Sequence, residues 1–364
     1  MNERDLLVHG VAWIEGRFGY NTHARNFFDR LSRLKATTVT PLVGLDGPID
    51  ADNVLIEGVF SGERDIVSIA LLFGVFAEQA LAGASGPRIG YTVWESTRYP
   101  EDWLRSLESM DRVWVPTHWG RDVLLANGMA PGLVSVVPEG VDAAVFNPDV
   151  SPAEAIASSP GFKFLNIGRY EKRKGTRDLI LAFDAEFGTN DDVLLVIACD
   201  NPHATDFDLT REIRSLSLRH PENLVFVPPV ARHDALVGLY TACDAFVSPF
   251  RAEGWGLPIM EAMACDLPVI VTDYSGPTEF LGDHAYRLDY NLVDIDEPYF
   301  EVSSGNLGQW AEPDFMHLRH QMREVYQNRE KASELGRRGG QHAREKFSWE
   351  MAAQVAARLI EELV

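Results

Sequence analysis

The sequence is short of cysteine and of positive charge, and each shortage removes a class of function. Its three cysteines, Cys199, Cys243 and Cys265, are far apart and lack metal-ligand spacing, which disfavours a cysteine metal site and predicts buried, reduced thiols. Against 54 Asp and Glu there are 33 Lys and Arg, a net charge of −21 with a pI near 4.8. A nucleic-acid binder needs a basic stripe to displace counterions, so that role is excluded. Long apolar runs are also missing: the longest uncharged one, 66–77, is too short to span a bilayer, and "MNERDLLVHG" lacks the basic start and apolar run of a signal peptide. A cytoplasmic protein is expected. Residues 1–150 carry 20 Asp and Glu against 12 Lys and Arg, so at most a peripheral membrane contact is expected. No G-x-G-x-x-G motif with an acidic residue about twenty positions on follows the first strand, which disfavours a dinucleotide dehydrogenase.

What is present reads as a two-domain α/β enzyme. The chain has 364 residues, 46% apolar and 24% charged, more than one hydrophobic core usually serves. Short β-branched runs alternate with helical patterns, the signature of right-handed βαβ crossovers and parallel sheets. Strands are predicted at 6–14, 37–43, 53–57, 88–93, 112–116 and 134–137, and again at 162–168, 193–199, 224–227, 245–248 and 268–272. Between the two groups, "DAAVFNPDVSPAEAIASSPGF" gathers Pro, Ser, Ala and acidic residues and reads as a linker. The expected domains are 1–150 and 151–346. A terminal helix over 347–364, capped by Ser348, is expected to pack back on the first domain.

Three segments carry chemistry. In "FRAEGWGLPIMEAMACDLPVIVTDYSG", a buried strand runs into a glycine turn and then a helix with Pro258 near its first position. Glu253 lies in the turn and Glu261 one turn into the helix, at the carboxyl end of a parallel sheet, where ligands bind. Two carboxylates there suit neutral hydroxyls, such as those of sugar and ribose, while backbone N–H groups hold charge. An alternative from the same residues is that Glu261 only complements the helix dipole and Glu253 is solvated. In "FKFLNIGRYEKRKGTRDLILAF", Arg169 and Lys174 flank a loop before a helix, as a diphosphate requires; an exposed basic turn is the alternative. In "VHGVAWIEGRFGYNTHARNFFDRL", a glycine loop precedes a helix near Thr22, and Tyr20 and His23 lie at its start.

In this order, these segments resemble the retaining glycosyltransferases of family 4, which have the GT-B fold. "EGWGLPIMEAMACDLPVIVTDYSGPTEF" is similar to the family's E-x7-E signature, "GRYEKRKG" to its diphosphate loop, and "VPTHWGRDVLLANGMAPGLVSVVPEGVDAAVFNP" to the end of its N-terminal domain. The likeness is weakest over 45–90. It implies two Rossmann-like domains with parallel sheets facing a central cleft, the donor on the second domain and the acceptor entering from the first. Glu253 would sit by the donor sugar as a catalytic residue, with Arg169 and Lys174 neutralising the diphosphate. Glu261 would accept from ribose hydroxyls. Gly19, Gly254, Trp255, Gly256 and Leu257 would complete donor binding, and Val227 would flank the base.

The implied activity is transfer of a hexosyl unit from a nucleotide-diphospho-sugar to a glycan, lipid-linked or small-molecule hydroxyl acceptor, with retention of configuration. With two cations to stabilise the leaving phosphate, no metal and no cofactor are expected; the D-x-D triplets at 206–208 and 294–296 read as polar surface. Where many members carry a histidine near the donor sugar, "YTVWES" places Trp94. Trp94 could stack on a sugar and Glu95 reach the acceptor, although an aromatic at a strand end also serves packing. Tyr20 and His23 are further possible contacts. A sugar phosphorylase or epimerase on this fold, and a non-catalytic nucleotide-sugar-binding protein, are the alternatives.

Overall fold

The structure is a computed structural model that describes residues 6–16, 18–42, 66–201, 207–228, 233–296 and 306–364. The chain forms two compact units. The first comprises Met1–Gly140, Asp294–Gln309 and Phe347–Val364, the second Val141–Val293 and Trp310–Lys346.

The first unit holds β1 (Leu7–Trp13), α1 (Gly19–Ser32), β2 (Ala36–Leu42), β3 (Ile66–Leu71), α2 (Ala77–Ala80), β4 (Arg88–Tyr91), α3 (Glu101–Glu108), β5 (Arg112–Val115), α4 (His118–Ala126) and β6 (Val134–Val136). Its parallel sheet has the order β2-β1-β3-β4-β5-β6. The reversal beside β1 is the switch point of a doubly wound sheet. Every residue of β3 is buried, as a central strand with helices on both faces demands. That strand lies inside the apolar run 66–77 and was not among the expected ones; the strand expected at 53–57 lies outside the described residues.

The second unit contains α5 (Glu154–Ala157), β7 (Phe162–Arg169), α6 (Thr176–Glu186), β8 (Val193–Asp200), α7 (Leu209–Ser215), β9 (Leu224–Phe226), α8 (Val237–Thr241), β10 (Ala245–Ser248), α9 (Leu257–Ala264), β11 (Val269–Thr272) and β12 (Tyr286–Leu288). Its parallel sheet runs β12-β11-β10-β7-β8-β9, with the switch point beside β7. Phe162, Phe164, Leu179, Phe183, Leu195 and Val247 build its core. β13 (Tyr290–Asp294) and β14 (Gln309–Pro313) form a separate two-stranded sheet. The helices α10 (Phe315–Gln327), α11 (Arg329–Lys346) and α12 (Trp349–Glu361) complete the chain.

α12 groups with the first unit and packs on α1; the Ser348 side chain accepts from Met351 N at its start. The boundary between the units falls after Gly140, ten residues before the expected one, and Asp294–Gln309 belongs to the first unit although it lies deep in the expected second domain. Among the described residues no helix is long and apolar enough to cross a membrane.

Candidate functional site

At the carboxyl end of β7 the chain makes a basic loop and enters α6 through Gly175. Gly175 is left-handed (φ +70°), and a Cβ there would lie 2.0 Å from the carbonyl oxygen of Pro249. Only glycine permits this approach, and it presses the basic loop onto the chain leaving β10. That second loop turns through Gly256 (φ +95°) into α9, with Pro258 in the first helical turn.

The two loops bring two predicted residues together. Lys174 Nζ lies 2.5 Å from Glu253 Oε1, and Arg173 Nη1 lies 3.5 Å from Glu253 Oε2. Glu253 is only 6% exposed, which removes the solvated-loop alternative. Its backbone N–H donates to Ser275 Oγ at 3.0 Å. Ser275 is itself buried with φ +53° and ψ −148°, a conformation almost confined to glycine.

Arg169 stands at the end of β7, partly exposed, with its Nε 3.7 Å from Glu171 Oε2. Glu171 also accepts from Arg173 Nη2 at 2.7 Å. Burial pushes the Glu171 carboxyl up, but Arg173, Arg169 and Lys174 outweigh it and hold the group down at about 2. The loop that was expected to meet a diphosphate thus already holds a carboxylate among its cations.

Glu261 is 2% exposed on α9, and its Oε2 accepts from the Tyr240 hydroxyl at 2.8 Å. Burial first, and the Glu261 carboxylate second, push the Tyr240 phenol well above its usual range, so it remains protonated and donates. A residue serving only the helix dipole has no need of such a partner. Trp255 is buried against Phe280, with ring centroids 5.1 Å apart, and Gly254 and Leu257 are buried beside it. Val227 follows β9, half-buried, its N–H donating to Ile197 O; residues 229–232 after it lie outside the described residues.

In the first unit, Gly19 is exposed and opens α1, with open space where a Cβ would stand. α1 begins there, three residues before the expected start. Buried Asn21 donates to Trp13 O and Glu15 O and accepts from Phe18 N, tying down the glycine loop. Tyr20 is half-buried, its hydroxyl donating to Val93 O and accepting from Val93 N. His23 is buried among Phe27, Tyr91 and Trp349, with Nδ1 3.4 Å from Glu139 Oε1, and burial lowers it to about 3. Such a site is built for packing rather than for meeting a ligand.

Trp94 requires a correction. It is 3% exposed, packed between Trp103 and Tyr99 at centroid distances of 4.6 and 5.2 Å, and its Nε1 donates to Arg98 O. With its ring in the aromatic core it is a packing residue, not a platform for sugar. Glu95, next to it, is half-exposed.

The cysteines are buried, and burial pushes the Cys199 and Cys265 thiols up to about 12. They are inert thiols. Asp208 caps α7, accepting from Thr210 N and Arg211 N, while its triplet partner Asp206 lies outside the described residues. Four residues that sequence reasoning passed over support the site: Arg173, Tyr240, Arg251 and Ser275. Arg173 and Arg251 were visible only as charges in loops, and nothing in the sequence marks Ser275 or Tyr240.

Residues 151–294, all but the last of them in the second unit, match the family model described as Glycosyl transferases group 1. The D-inositol 3-phosphate glycosyltransferase of Acidothermus cellulolyticus is 30% identical over 196 residues, 51% of this chain and 42% of that protein. The lipopolysaccharide core biosynthesis mannosyltransferase LpsB of Rhizobium meliloti is 30% identical over 154 residues, 40% of this chain and 42% of its own. The chain spans about half the length, or less, of such curated relatives. Among solved structures, Anabaena Alr3699/HepE in complex with UDP-glucose superposes with a TM-score of 0.72 at 16% identity, covering 98% of this chain and 100% of the other. The glycosyltransferase from Rickettsia africae gives 0.72 at 14%, covering 100% and 99%. The fold is that of the GT-B glycosyltransferases, with two Rossmann-like units.

Proposed function

We propose that this protein is a metal-independent, retaining glycosyltransferase that moves a hexosyl unit from a nucleotide-diphospho-sugar to a hydroxyl acceptor. The observation that carries the reading is the meeting of Lys174 with Glu253, two loops brought together at the carboxyl ends of β7 and β10 within the segment that matches the group 1 model.

Cleaving a glycosyl phosphate builds positive charge on the anomeric carbon and negative charge on the leaving diphosphate. Arg169 offers a forked donor set and Lys174 a mobile point charge to that diphosphate. As the phosphate draws Lys174 away, the Glu253 carboxylate is released toward the hydroxyls of the donor sugar. Glu261, held in place by Tyr240, accepts from the ribose hydroxyls. Removing one preorganised charge contact of this kind costs about 10²-fold to 10³-fold in rate. With no nucleophile assigned to the sugar's far face, retention proceeds as a same-face substitution in which the leaving phosphate helps to deprotonate the acceptor.

Calorimetric titration of UDP, GDP, ADP and their sugars against wild type and Lys174→Ala tests the donor site. A nucleotide-selective signal that is weakened but still measurable in the variant is expected; a folded wild type that binds none of them overturns the reading. Retention is checked by NMR of the product, where an inverted anomeric centre would refute the mechanism.

A further inference from the structure

Two arginines lock the loops that carry Lys174 and Glu253, and one stands two residues before Glu253. Arg251 is 4% exposed. Its Nε and Nη2 donate to the two carboxylate oxygens of Glu312, both at 2.7 Å, and Nη2 also lies 2.8 Å from Asp178 Oδ2. Its Nη1 donates to Lys172 O at 2.6 Å, and its backbone N–H to Arg173 O at 2.7 Å. In return, Arg173 Nη1 donates to Ala252 O at 2.6 Å. Each loop therefore grips the other through a buried guanidinium, with Glu312 on β14 and Asp178 in the first turn of α6 as external anchors.

Burying a guanidinium is costly unless every donor finds a partner, and a hydrophobic contact of similar volume would bind the loops at least as well. What the fork adds is direction. Its bonds leave in fixed planes, so they set the offset between the loops, which a greasy contact leaves free.

We propose that Arg251 is a positioning residue for the glycosyl-transfer site, registering the basic loop against the Glu253 loop so that Lys174 meets the donor diphosphate. It acts on the ligand through Lys174 and does not touch it. This inference rests on the donor-site reading given above.

The test is a double-mutant cycle on the full-length protein, with binding of the nucleoside diphosphates UDP, GDP and ADP measured by calorimetry and folding by thermal denaturation. Arg251→Lys keeps the charge and loses the fork; it should remain folded yet bind the preferred diphosphate about 10-fold or more weakly, a loss of about 1.4 kcal/mol. In a Lys174→Ala background the same change should cost little more, because positioning a missing ammonium achieves nothing. Glu312→Gln, which weakens the anchor and spares the arginine, should reproduce the non-additive loss and carries the test should Arg251→Lys fail to fold.

Additive losses, or wild-type affinity in both the Arg251 and Glu312 variants, overturn the positioning role alone. A wild type that binds none of the diphosphates overturns the function reading, and this inference with it.

Discussion

Lys174 Nζ and Glu253 Oε1, 79 residues apart in sequence, form a close ion pair in which the carboxylate is almost wholly buried and the ammonium largely so. The pair joins the two loops that sequence reasoning assigned, separately, to diphosphate and to sugar. Buried charges are tolerated when paired, and breaking such a pair from one side leaves the other charge stranded. Lys174→Ala therefore carries two consequences. The kcat/KM of the proposed transfer should fall by about 10²-fold to 10³-fold through loss of leaving-group stabilisation. Folding stability should fall as well, by about 1–3 kcal/mol, because Arg173 Nη1, 3.5 Å from Glu253 Oε2, still faces the buried carboxylate. Lys174→Ala with Glu253→Gln should recover much of the stability and none of the activity, as steady-state kinetics beside urea denaturation would reveal.

Tyr240→Phe separates binding from chemistry. The Tyr240 hydroxyl is the donor to Glu261 Oε2, and the residue is fully buried. Removing it takes a partner from a buried carboxylate at a cost of about 1–3 kcal/mol. The ribose contact proposed for Glu261 would be made equally in ground and transition states, so the donor KM should rise by about 10-fold with kcat nearly unchanged. A fall in kcat at saturating donor would place Glu261 at the reacting centre instead.

The parts of the fold that were legible in sequence are those where local pattern and burial coincide. β7, β8, β10 and β11 read as short apolar, β-branched runs and lie within a residue or two of their expected places. The cap at Ser348 was legible for the same local reason, its side chain accepting from Met351 N. β3 was not, since Ile66–Leu71 merges with the apolar residues after it and periodicity cannot cut such a run. Nor was the return of Asp294–Gln309 to the first unit, which depends on contacts distant in sequence such as Ser96 Oγ to Leu307 O. At the site, Arg169, Lys174, Glu253 and Glu261 stood out as charges at strand ends. Arg173 and Arg251 looked no different from surface arginines, because what distinguishes them is burial, a tertiary property. Trp94 misled for the converse reason: an aromatic at a strand end has the same sequence signature whether it faces a ligand or the core.

Acid should expose the role of Glu171. Burial pushes its carboxyl up, but Arg173, Arg169 and Lys174 outweigh that effect and hold it at about 2, below the ordinary carboxyl value of 4.5. A depressed carboxyl contributes stability that is present above pH 4.5 and is lost as the pH falls toward 2. With the side chain about a quarter exposed, that contribution is on the order of 1–3 kcal/mol. Glu171→Gln should thus be less stable than wild type at pH 6, and the two should converge between pH 4.5 and 2. Urea midpoints across this range provide the check; a gap that stays constant with pH would mean that the carboxylate's charge is not what stabilises the loop.

Ser275 offers a test in which the usual ranking of alanine over glycine reverses. Its backbone, at φ +53° and ψ −148°, costs a non-glycine residue about 1–3 kcal/mol, while its Oγ accepts the buried N–H of Glu253. Ser275→Gly relieves the strain but loses a hydrogen bond worth about 0.5–1.5 kcal/mol and adds freedom to the unfolded chain. These effects nearly cancel, and stability within about 1 kcal/mol of wild type is expected. Ser275→Ala keeps the strain and leaves the Glu253 N–H without its acceptor, a loss of about 1–3 kcal/mol. Glycine should therefore be the more stable variant in denaturant titration. Both should lower the rate of the proposed transfer, because the Glu253 N–H is no longer held by the Ser275 hydroxyl. Full activity in Ser275→Gly would show that the remaining contacts, from Arg173 and Lys174 to Glu253, are enough to place the carboxylate.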